Sequence, residues 1–255
     1  MTAEEGSTLG LEGRVAVVTG ATRGVGLAIA RKLCACGVHV FLDYAHSDDD
    51  AARAVEQLAG LKGTATAVKY DIGDKGVAPR LLEAVRERHG RLDVLVHNAA
   101  SFHPMTAAEP AIGEFWDDVR LGVSPLVQTA SRFTELIEPG TGRIIAVSSL
   151  GARAVVPRYV AQGVGKAALE SYIRYLAAEL AASGIAVNAV STSKVDKGQS
   201  GREGEMVRAL AGRTPGGRLT RPSDVADVVA LLCTDEAAWI NGQVITADGG
   251  LSLLA

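Results

Sequence analysis

The sequence predicts an α/β fold: a single domain built on a doubly wound parallel sheet. Short, nearly continuous apolar runs recur along the chain, and amphipathic stretches with helical spacing separate them. Strands covered by helices on both faces have this appearance, because neither face meets water. The alternation continues over 255 residues without a linker or a shift in composition, which favours one domain.

Seven apolar runs are the predicted strands. They cover residues 15–19, 38–42, 66–70, 94–97, 144–148, 186–190 and 243–247. Six helical patterns alternate with them, at residues 24–36, 48–59, 75–89, 112–137, 164–182 and 223–232. The polar, glycine-rich stretch 192–213 has no strong period, and we expect an irregular substrate lid there.

Composition excludes several classes of protein. The net charge is −3 and aromatic residues are 4%, which argues against a nucleic-acid partner. No apolar run is long enough for a membrane span. Residues 1–10 are acidic and polar, unlike a signal peptide, so we expect a flexible lead-in before a domain at 11–255 and a cytoplasmic location. Cys34, Cys36 and Cys233 are expected to be buried thiols, with no metal site.

A glycine-rich loop joins the first predicted strand to the first helix. It reads Gly20-Ala21-Thr22-Arg23-Gly24-Val25-Gly26. Glycines at this spacing let the backbone turn tightly and approach a pyrophosphate, and the helix that follows offers free N–H groups. The position of the loop, directly after a strand and before a helix, is the one that this mechanism requires.

Thr19-Gly20-x-x-x-Gly24-x-Gly26 resembles the cofactor loop of short-chain dehydrogenases/reductases. Further matching segments are Asp71-Ile72, Asn98-Ala99-Ala100, Ser148-Ser149 and Asp248-Gly249-Gly250. The resemblance covers roughly residues 12–252 and implies a Rossmann-like fold and NAD(P)H-dependent redox chemistry. The cofactor residues that it implies are Gly20, Thr22, Arg23, Gly24, Val25, Gly26, Tyr44, His46, Ser47, Asp71, Ile72, Asn98, Ala99, Ala100, Lys166, Thr192 and Val195.

The choice of dinucleotide depends on the end of the second strand. Tyr44 stands where the resemblance places an acid that selects NAD, and Asp43 precedes it, so its side chain should point the other way. Arg23 resembles the basic residue of NADPH-dependent members, and His46 and Ser47 could also meet a phosphate. The acidic run 48–50 argues the other way, unless it only starts a helix. We expect NADPH, with NADH left open.

The expected catalytic pair has an unusual spacing. Members of this family typically carry Y-x-x-x-K, but Gln162 occupies the place four residues before Lys166. Tyr159 lies seven residues before Lys166, close to two helical turns, so both side chains can share one face. This Y-x6-K pattern is similar to that of the enoyl-acyl-carrier-protein reductases. Ser149 stands at the family's catalytic serine. Gln162 is either a substrate contact or a solvent-facing helix residue.

Segment 117–125 lacks the asparagine of the carbonyl-reducing members' proton relay. Enoyl reduction can proceed without it, because charge gathers on the thioester oxygen and needs a hydrogen-bond donor. We expect Tyr159 to donate there, and Lys166 to hold the ribose and lower the pKa of the tyrosine.

Other residues of the expected pocket depart from the enoyl reductase pattern or flank the asparagine segment. A second aromatic residue, common beside the tyrosine in enoyl reductases, is missing from its candidate places Ser149, Val155 and Val156. His97, Phe102 and His103 flank the asparagine segment and could shape the pocket. His103 has the pKa range of an acid, but a loop histidine before proline is more often inert.

The resemblance therefore implies reduction of an enoyl thioester on acyl carrier protein or coenzyme A, in fatty acid or polyketide synthesis. The alternatives are a ketoreductase or alcohol dehydrogenase and a catalytically weak cofactor-binding scaffold. A homotetramer or homodimer is expected from the Ala-rich helix 167–182. Basic residues could meet phosphopantetheine or an acidic carrier, namely Arg153, Arg158, Lys194, Lys197, Arg202, Arg208 and Arg213.

Overall fold

The computed structural model describes residues 8–196 and 201–254. Its strands are β1 (Val15–Thr19), β2 (His39–Tyr44), β3 (Thr64–Lys69), β4 (Val94–His97), β5 (Arg143–Ser149), β6 (Ala186–Thr192) and β7 (Val244–Thr246). All neighbours pair in parallel, in the order β3-β2-β1-β4-β5-β6-β7. The strand order reverses between β1 and β4, which is where α/β sheets open a crevice for ligands. The predicted Rossmann-like sheet is confirmed.

Helices cover both faces of the sheet. They are α1 (Gly24–Ala35), α2 (Asp48–Leu58), α3 (Val77–His89), α4 (Ile112–Thr129), α5 (Phe133–Leu136), α6 (Val160–Leu180), α7 (Gly201–Arg213) and α8 (Pro222–Leu232). Helices α1, α2 and α8 pack on one face, and α3 to α6 pack on the other. In β1, Ala16 and Val18 join the first core while Val15 and Val17 join the second, so the strand is apolar on both faces until Thr19 at its end.

Helix α6 begins one turn earlier than expected. Its N-cap is Tyr159, whose carbonyl accepts from Gly163 N at 2.7 Å. A Cβ at Gly163 would lie 2.8 Å from the Gly151 carbonyl, and one at Gly165 would lie 3.3 Å from Val119 Cα in α4. These glycines allow close contact with neighbouring backbone and do not break the helix.

Two further expectations about boundaries are wrong. The predicted helix 112–137 is interrupted by a 3-10 turn at Ala130–Arg132, after which α5 buries Phe133 and Leu136. The stretch 192–213 is not irregular throughout, because α7 occupies Gly201–Arg213. Residues 206–211 are mostly good helix formers, but the glycines on either side of them favoured an irregular segment in the sequence.

The expected N-terminal lead-in is described only from residue 8 onward. Residues 1–7 of the expected lead-in lie outside the described part, and a turn at residues 8–10 leads into buried Leu11.

The three cysteines are buried and form no disulfide, and burial raises the pKa of Cys34 to about 12. Within the described residues no helix has the length and apolar character needed to cross a membrane, and no group of acidic, histidine or cysteine residues is placed to hold a metal.

Replacement of Leu33 tests the core between α1 and the sheet. Leu33 is fully buried, so Leu33→Ala leaves a cavity and should lower the free energy of unfolding by about 2–5 kcal/mol. Leu231→Ala, on the 55% exposed face of α8, is the matched control and should change it by less than about 0.5 kcal/mol. Urea unfolding would measure both, and equal effects would contradict this assignment of the core.

Candidate active site

The glycine loop between β1 and α1 is folded tightly onto itself. Gly20 and Gly24 have φ of 61° and 56°, in the left-handed region that glycine adopts without strain. A Cβ at Gly26 would lie 2.3 Å from the Gly20 carbonyl oxygen. The third glycine is therefore required because the first turn of α1 approaches the loop backbone.

Two side chains fasten this loop to the end of β4. Asn98 Nδ2 donates to the carbonyls of Thr19 at 2.9 Å and Gly20 at 3.1 Å. Thr19 Oγ1 accepts from the backbone N–H groups of Asn98 and Ala99, each at 3.0 Å. The Asn98 amide thus shapes the loop, and Ala99 packs against Gly20.

The start of α1 fits a dinucleotide pyrophosphate. In the described part of the chain, no side chain caps this helix and no acid stands in its first turn. Its first N–H groups and the positive end of its dipole therefore remain for an anion. Arg23 and Gly24 are exposed at this edge, and Thr22 and Val25 are half-buried.

Polar groups line the rim beyond β2. Tyr44 Oη donates to Asp48 at 2.8 Å, and Lys69 Nζ lies 3.0 Å from both Asp48 oxygens. Ser47 Oγ caps α2 by accepting from Asp50 N at 3.1 Å, and His46 is exposed. Lys69, at the end of β3, forms an ion pair with Asp48 and was not predicted as a site residue.

Asp43 points to the opposite face from Tyr44, as predicted. It is 1% exposed, and burial raises its pKa to about 8, with the Gly20 N–H opposing that rise. Asp71 is exposed and accepts from Gly73 N at 3.0 Å, whereas the Ile72 side chain is buried in the core. Only the backbone of Ile72 can therefore face a cofactor.

Tyr159 and Ser149 form a hydrogen-bonded pair at the end of β5. The tyrosine ring lies over Gly151, where a Cβ would come within 2.6 Å of ring carbons. Ser149 Oγ also accepts from Gly151 N at 3.2 Å. Burial raises the pKa of Tyr159, against the hydrogen bond from Ser149, and the charge of Asp118 raises it further. The expected lowering of this pKa is therefore wrong, because desolvation disfavours phenolate.

Lys166 is 4% exposed and reaches β5 two turns along α6 from Tyr159. Its Nζ donates to the Val147 carbonyl at 2.7 Å, and burial lowers its pKa to about 8. One N–H is thus used by the strand, which leaves two for a ligand.

Gln162 is not the solvent-facing helix residue that was one of its two expected roles. It is 3% exposed, so it does not face solvent, and its Nε2 donates to the Ser101 carbonyl. The amide fastens the loop after β4 to α6.

That loop, residues 101–105, runs beside Tyr159. The Phe102 ring lies 5.6 Å from the tyrosine ring between centroids, and Met105 forms a parallel bridge with Tyr159. Phe102, which was expected to shape the pocket, thus places a second aromatic ring beside the tyrosine. Preceding Tyr159, Arg158 has φ of 60°, and its carbonyl accepts from Met105 N at 3.2 Å.

Several other expected residues have contacts within the protein. His97 is 1% exposed, and its Nε2 is 3.0 Å from the Gly122 carbonyl, so it does not line the pocket. Thr192 Oγ1 donates to the Ala247 carbonyl at 2.9 Å, and Val195 bridges to Thr220. Ala100 and Lys194 are exposed; Lys197 and the Arg202 side chain lie outside the described part.

The sequence missed two buried carboxylates. Glu170 accepts from Ser148 Oγ at 2.7 Å and from Arg153 Nε at 3.0 Å, which ties Arg153 to α6. Asp118, 1% exposed, accepts from the backbone and ring of His103. Helical spacing could have predicted the burial of Asp118, because it shares the inward face of α4 with Gly122 and Pro125.

Comparisons with known proteins agree with this arrangement. The family model described as enoyl-(acyl carrier protein) reductase matches residues 20–252. An uncharacterized oxidoreductase of Methylorubrum extorquens is 39% identical over 94% of this chain and 98% of its own. The 1-cyclohexenylcarbonyl-CoA reductase of Streptomyces collinus is 33% identical, covering 95% and 88%. The solved structure of LugOII, a promiscuous reductase that catalyses keto-reduction at C1 during lugdunomycin biosynthesis, is 33% identical with a TM-score of 0.87, covering 95% and 99%.

Gly26→Ala tests the loop as a dinucleotide site. The new methyl group would clash with the Gly20 carbonyl and displace the loop, so NADPH affinity should fall by about tenfold or more while the fold persists. Gly113→Ala is the control, because a Cβ there meets nothing within 4 Å. Titration followed by cofactor fluorescence would measure both, and unchanged affinity in Gly26→Ala would exclude this loop.

Proposed function

Because the chain belongs to the short-chain dehydrogenase/reductase family and is an NAD(P)H-dependent oxidoreductase, we propose that it reduces the carbon–carbon double bond of an enoyl thioester with NADPH. The position of Tyr159 is the observation on which this proposal rests. The tyrosine stands two turns before Lys166 and is hydrogen-bonded to Ser149, while Gln162 in the usual place is buried and bound to backbone.

Each residue of the pair has a separate task. The cofactor supplies a hydride to the β-carbon of the substrate. Tyr159 remains a neutral phenol because its pKa is raised, so it can donate a hydrogen bond to the thioester oxygen as negative charge gathers there. Lys166, held by Val147, offers its remaining N–H groups to the nicotinamide ribose. Ser149 orients the phenol.

The rim of the glycine loop supports NADPH over NADH. Arg23 is exposed there, and two of the three acids in the run 48–50 already have cationic partners: Asp48 has Lys69, and Asp50 has Arg53. The acids therefore repel a 2′-phosphate less than their number suggests. Tyr44, His46 and Ser47 complete the polar edge.

The substrate is proposed to be carried on coenzyme A or acyl carrier protein. The similar Streptomyces collinus enzyme is named for a coenzyme A thioester, which favours this substrate class. Exposed cations beside the site could meet the phosphates of the carrier, namely Arg158, Lys194, Arg208 and Arg213. We propose that segment 192–213 forms the lid over that substrate. Near the start of this segment, Val195 forms a parallel bridge with Thr220.

Keto-reduction is the second candidate. LugOII reduces a ketone, and the hydrogen-bonded Ser149 and Tyr159 could equally polarise a carbonyl oxygen. A catalytically weak cofactor-binding scaffold is the third candidate, which glutamine at position 162 favours. Tyr159 supplies a donor in its place.

We also propose a homodimer or homotetramer assembled through α6. This helix exposes Val164 by 44% and Tyr175 by 67%, alongside small alanine side chains that permit close packing.

Tyr159→Phe tests the donor. Loss of one hydrogen bond to developing charge should lower kcat for enoyl thioesters by about 10²-fold or more, with little change in NADPH affinity. Tyr175→Phe, on the exposed face of the same helix, should retain full activity. NADPH consumption would be compared between crotonyl-CoA and acetoacetyl-CoA. Faster turnover of the ketone would favour keto-reduction, and a fully active Tyr159→Phe would remove the tyrosine from the mechanism.

Arg23→Ala tests the dinucleotide preference. Removal of a charge that can pair with the 2′-phosphate should raise KM for NADPH by about five- to tenfold and leave KM for NADH unchanged. Arg31→Ala, further along α1, is the matched control. Equal effects on the two dinucleotides would contradict recognition of the phosphate by Arg23.

A further inference from the structure

Asp118 is a buried carboxylate with an unusual pair of contacts. Its side chain is fully shielded from solvent, yet Oδ2 accepts from His103 N at 2.9 Å and Oδ1 lies 2.8 Å from His103 Nδ1. Anchoring the loop would need only the first of these bonds. The second fixes the orientation and tautomer of an imidazole, as a carboxylate does in acid–base dyads.

His103 lies on the loop that runs beside the proposed donor. Its neighbour Phe102 contacts the Tyr159 ring, Met105 pairs with Tyr159, and the charge of Asp118 acts on the phenol. The side chain of His103 is 39% exposed. Because Nδ1 faces Asp118, Nε2 is the nitrogen that remains for a substrate, and solvent can return a proton to it.

Enoyl reduction needs a second proton source near the first. In an enoyl thioester, only the carbonyl carbon separates the α-carbon from the oxygen that accepts the hydrogen bond of Tyr159. A group that protonates the α-carbon must therefore stand close to the tyrosine. Tyr159 itself is held at the oxygen, which leaves the α-carbon without an assigned donor.

We propose that His103 is the acid that protonates the α-carbon, and that Asp118 is its positioning residue. The assignment rests on the proposed enoyl reduction. Hydride from NADPH bonds to the β-carbon, and the double-bond electrons move to give an enolate. The enolate then collapses as the α-carbon takes the proton from Nε2–H, which leaves a neutral imidazole that solvent reprotonates. One hydride and one proton are consumed for each double bond reduced.

The surrounding charges favour the protonated imidazole. The hydrogen bond to Asp118 raises the pKa of His103 most, burial opposes it, and Asp118, Glu114 and Asp117 on α4 add to the rise. From the start of α6, Arg158 donates to the Pro104 carbonyl at 3.4 Å, and the neutral Tyr159 adds no charge. A raised pKa keeps the acid charged above its ordinary range, so its activity should fall as pH rises through that pKa.

The decisive measurement is the configuration of the product. An α-methyl enoyl-CoA gains a stereocentre at the α-carbon, so wild-type enzyme should give one epimer, and in D2O a single deuterium there. His103→Gln should lower kcat by about 10- to 10²-fold and give mixed epimers, with NADPH affinity retained. His89→Gln, remote from the site, is the matched control.

Asp118→Asn provides the second variant. An amide can still accept from His103 N but favours the wrong tautomer of the ring. We expect lower kcat and a descending pH limb displaced to lower pH, with thermal unfolding and NADPH binding measured to confirm folding.

The outcomes separate the two proposals. If wild-type enzyme turns over the enoyl thioester but His103→Gln keeps the rate and a single epimer, His103 is not the acid and the reaction stands. A slower His103→Gln that retains one epimer and the wild-type pH profile would also overturn the assignment. No enoyl turnover by wild type would overturn the proposed reaction, and the α-carbon role with it.

Discussion

The fastening of the glycine loop to the end of β4 is the interaction on which the site depends. Asn98 and Thr19 satisfy backbone groups that the tight turn leaves unpaired, at the point where the strand order reverses. Both halves of the sheet meet there, so one small network fixes the cofactor loop relative to the loop that carries His103. The glycine loop and the loop beside Tyr159 are thereby held in a fixed relative position.

Much of the fold was predictable because both sheet faces are buried. Continuous apolar runs located all seven strands, and β1 and β4 agree with the predicted residues. Two of the failures have a common cause in glycine. Gly163 and Gly165 suggested a late start to α6, and the glycines around α7 suggested an irregular segment. Local propensity disfavours glycine in helices, whereas close packing between backbones can require it.

The candidate site was predictable where spacing along one element determines proximity. Tyr159 and Lys166 follow from helical periodicity, and the loop glycines follow from the strand–turn–helix order. Contacts between distant segments could not be inferred this way. The bond from Gln162 to Ser101 and the pairing of Asp118 with His103 depend on how residues 101–105 pack against α6 and α4, with sequence separations of 61 and 15 residues. Their pKa shifts also depend on burial, which a sequence does not specify.

Tyr159 stands at the N-cap of α6, outside the regular hydrogen bonding of the helix interior. Its backbone is positioned by the left-handed Arg158 and by the bridge to Met105, both outside that helix. The position of the phenol therefore depends on the adjoining loops, whereas the position of Lys166 is set by the interior of α6. Insertions or substitutions in residues 101–105 can move the phenol relative to Lys166. Such separation allows the region around the phenol to vary between related proteins without a change in the glycine loop.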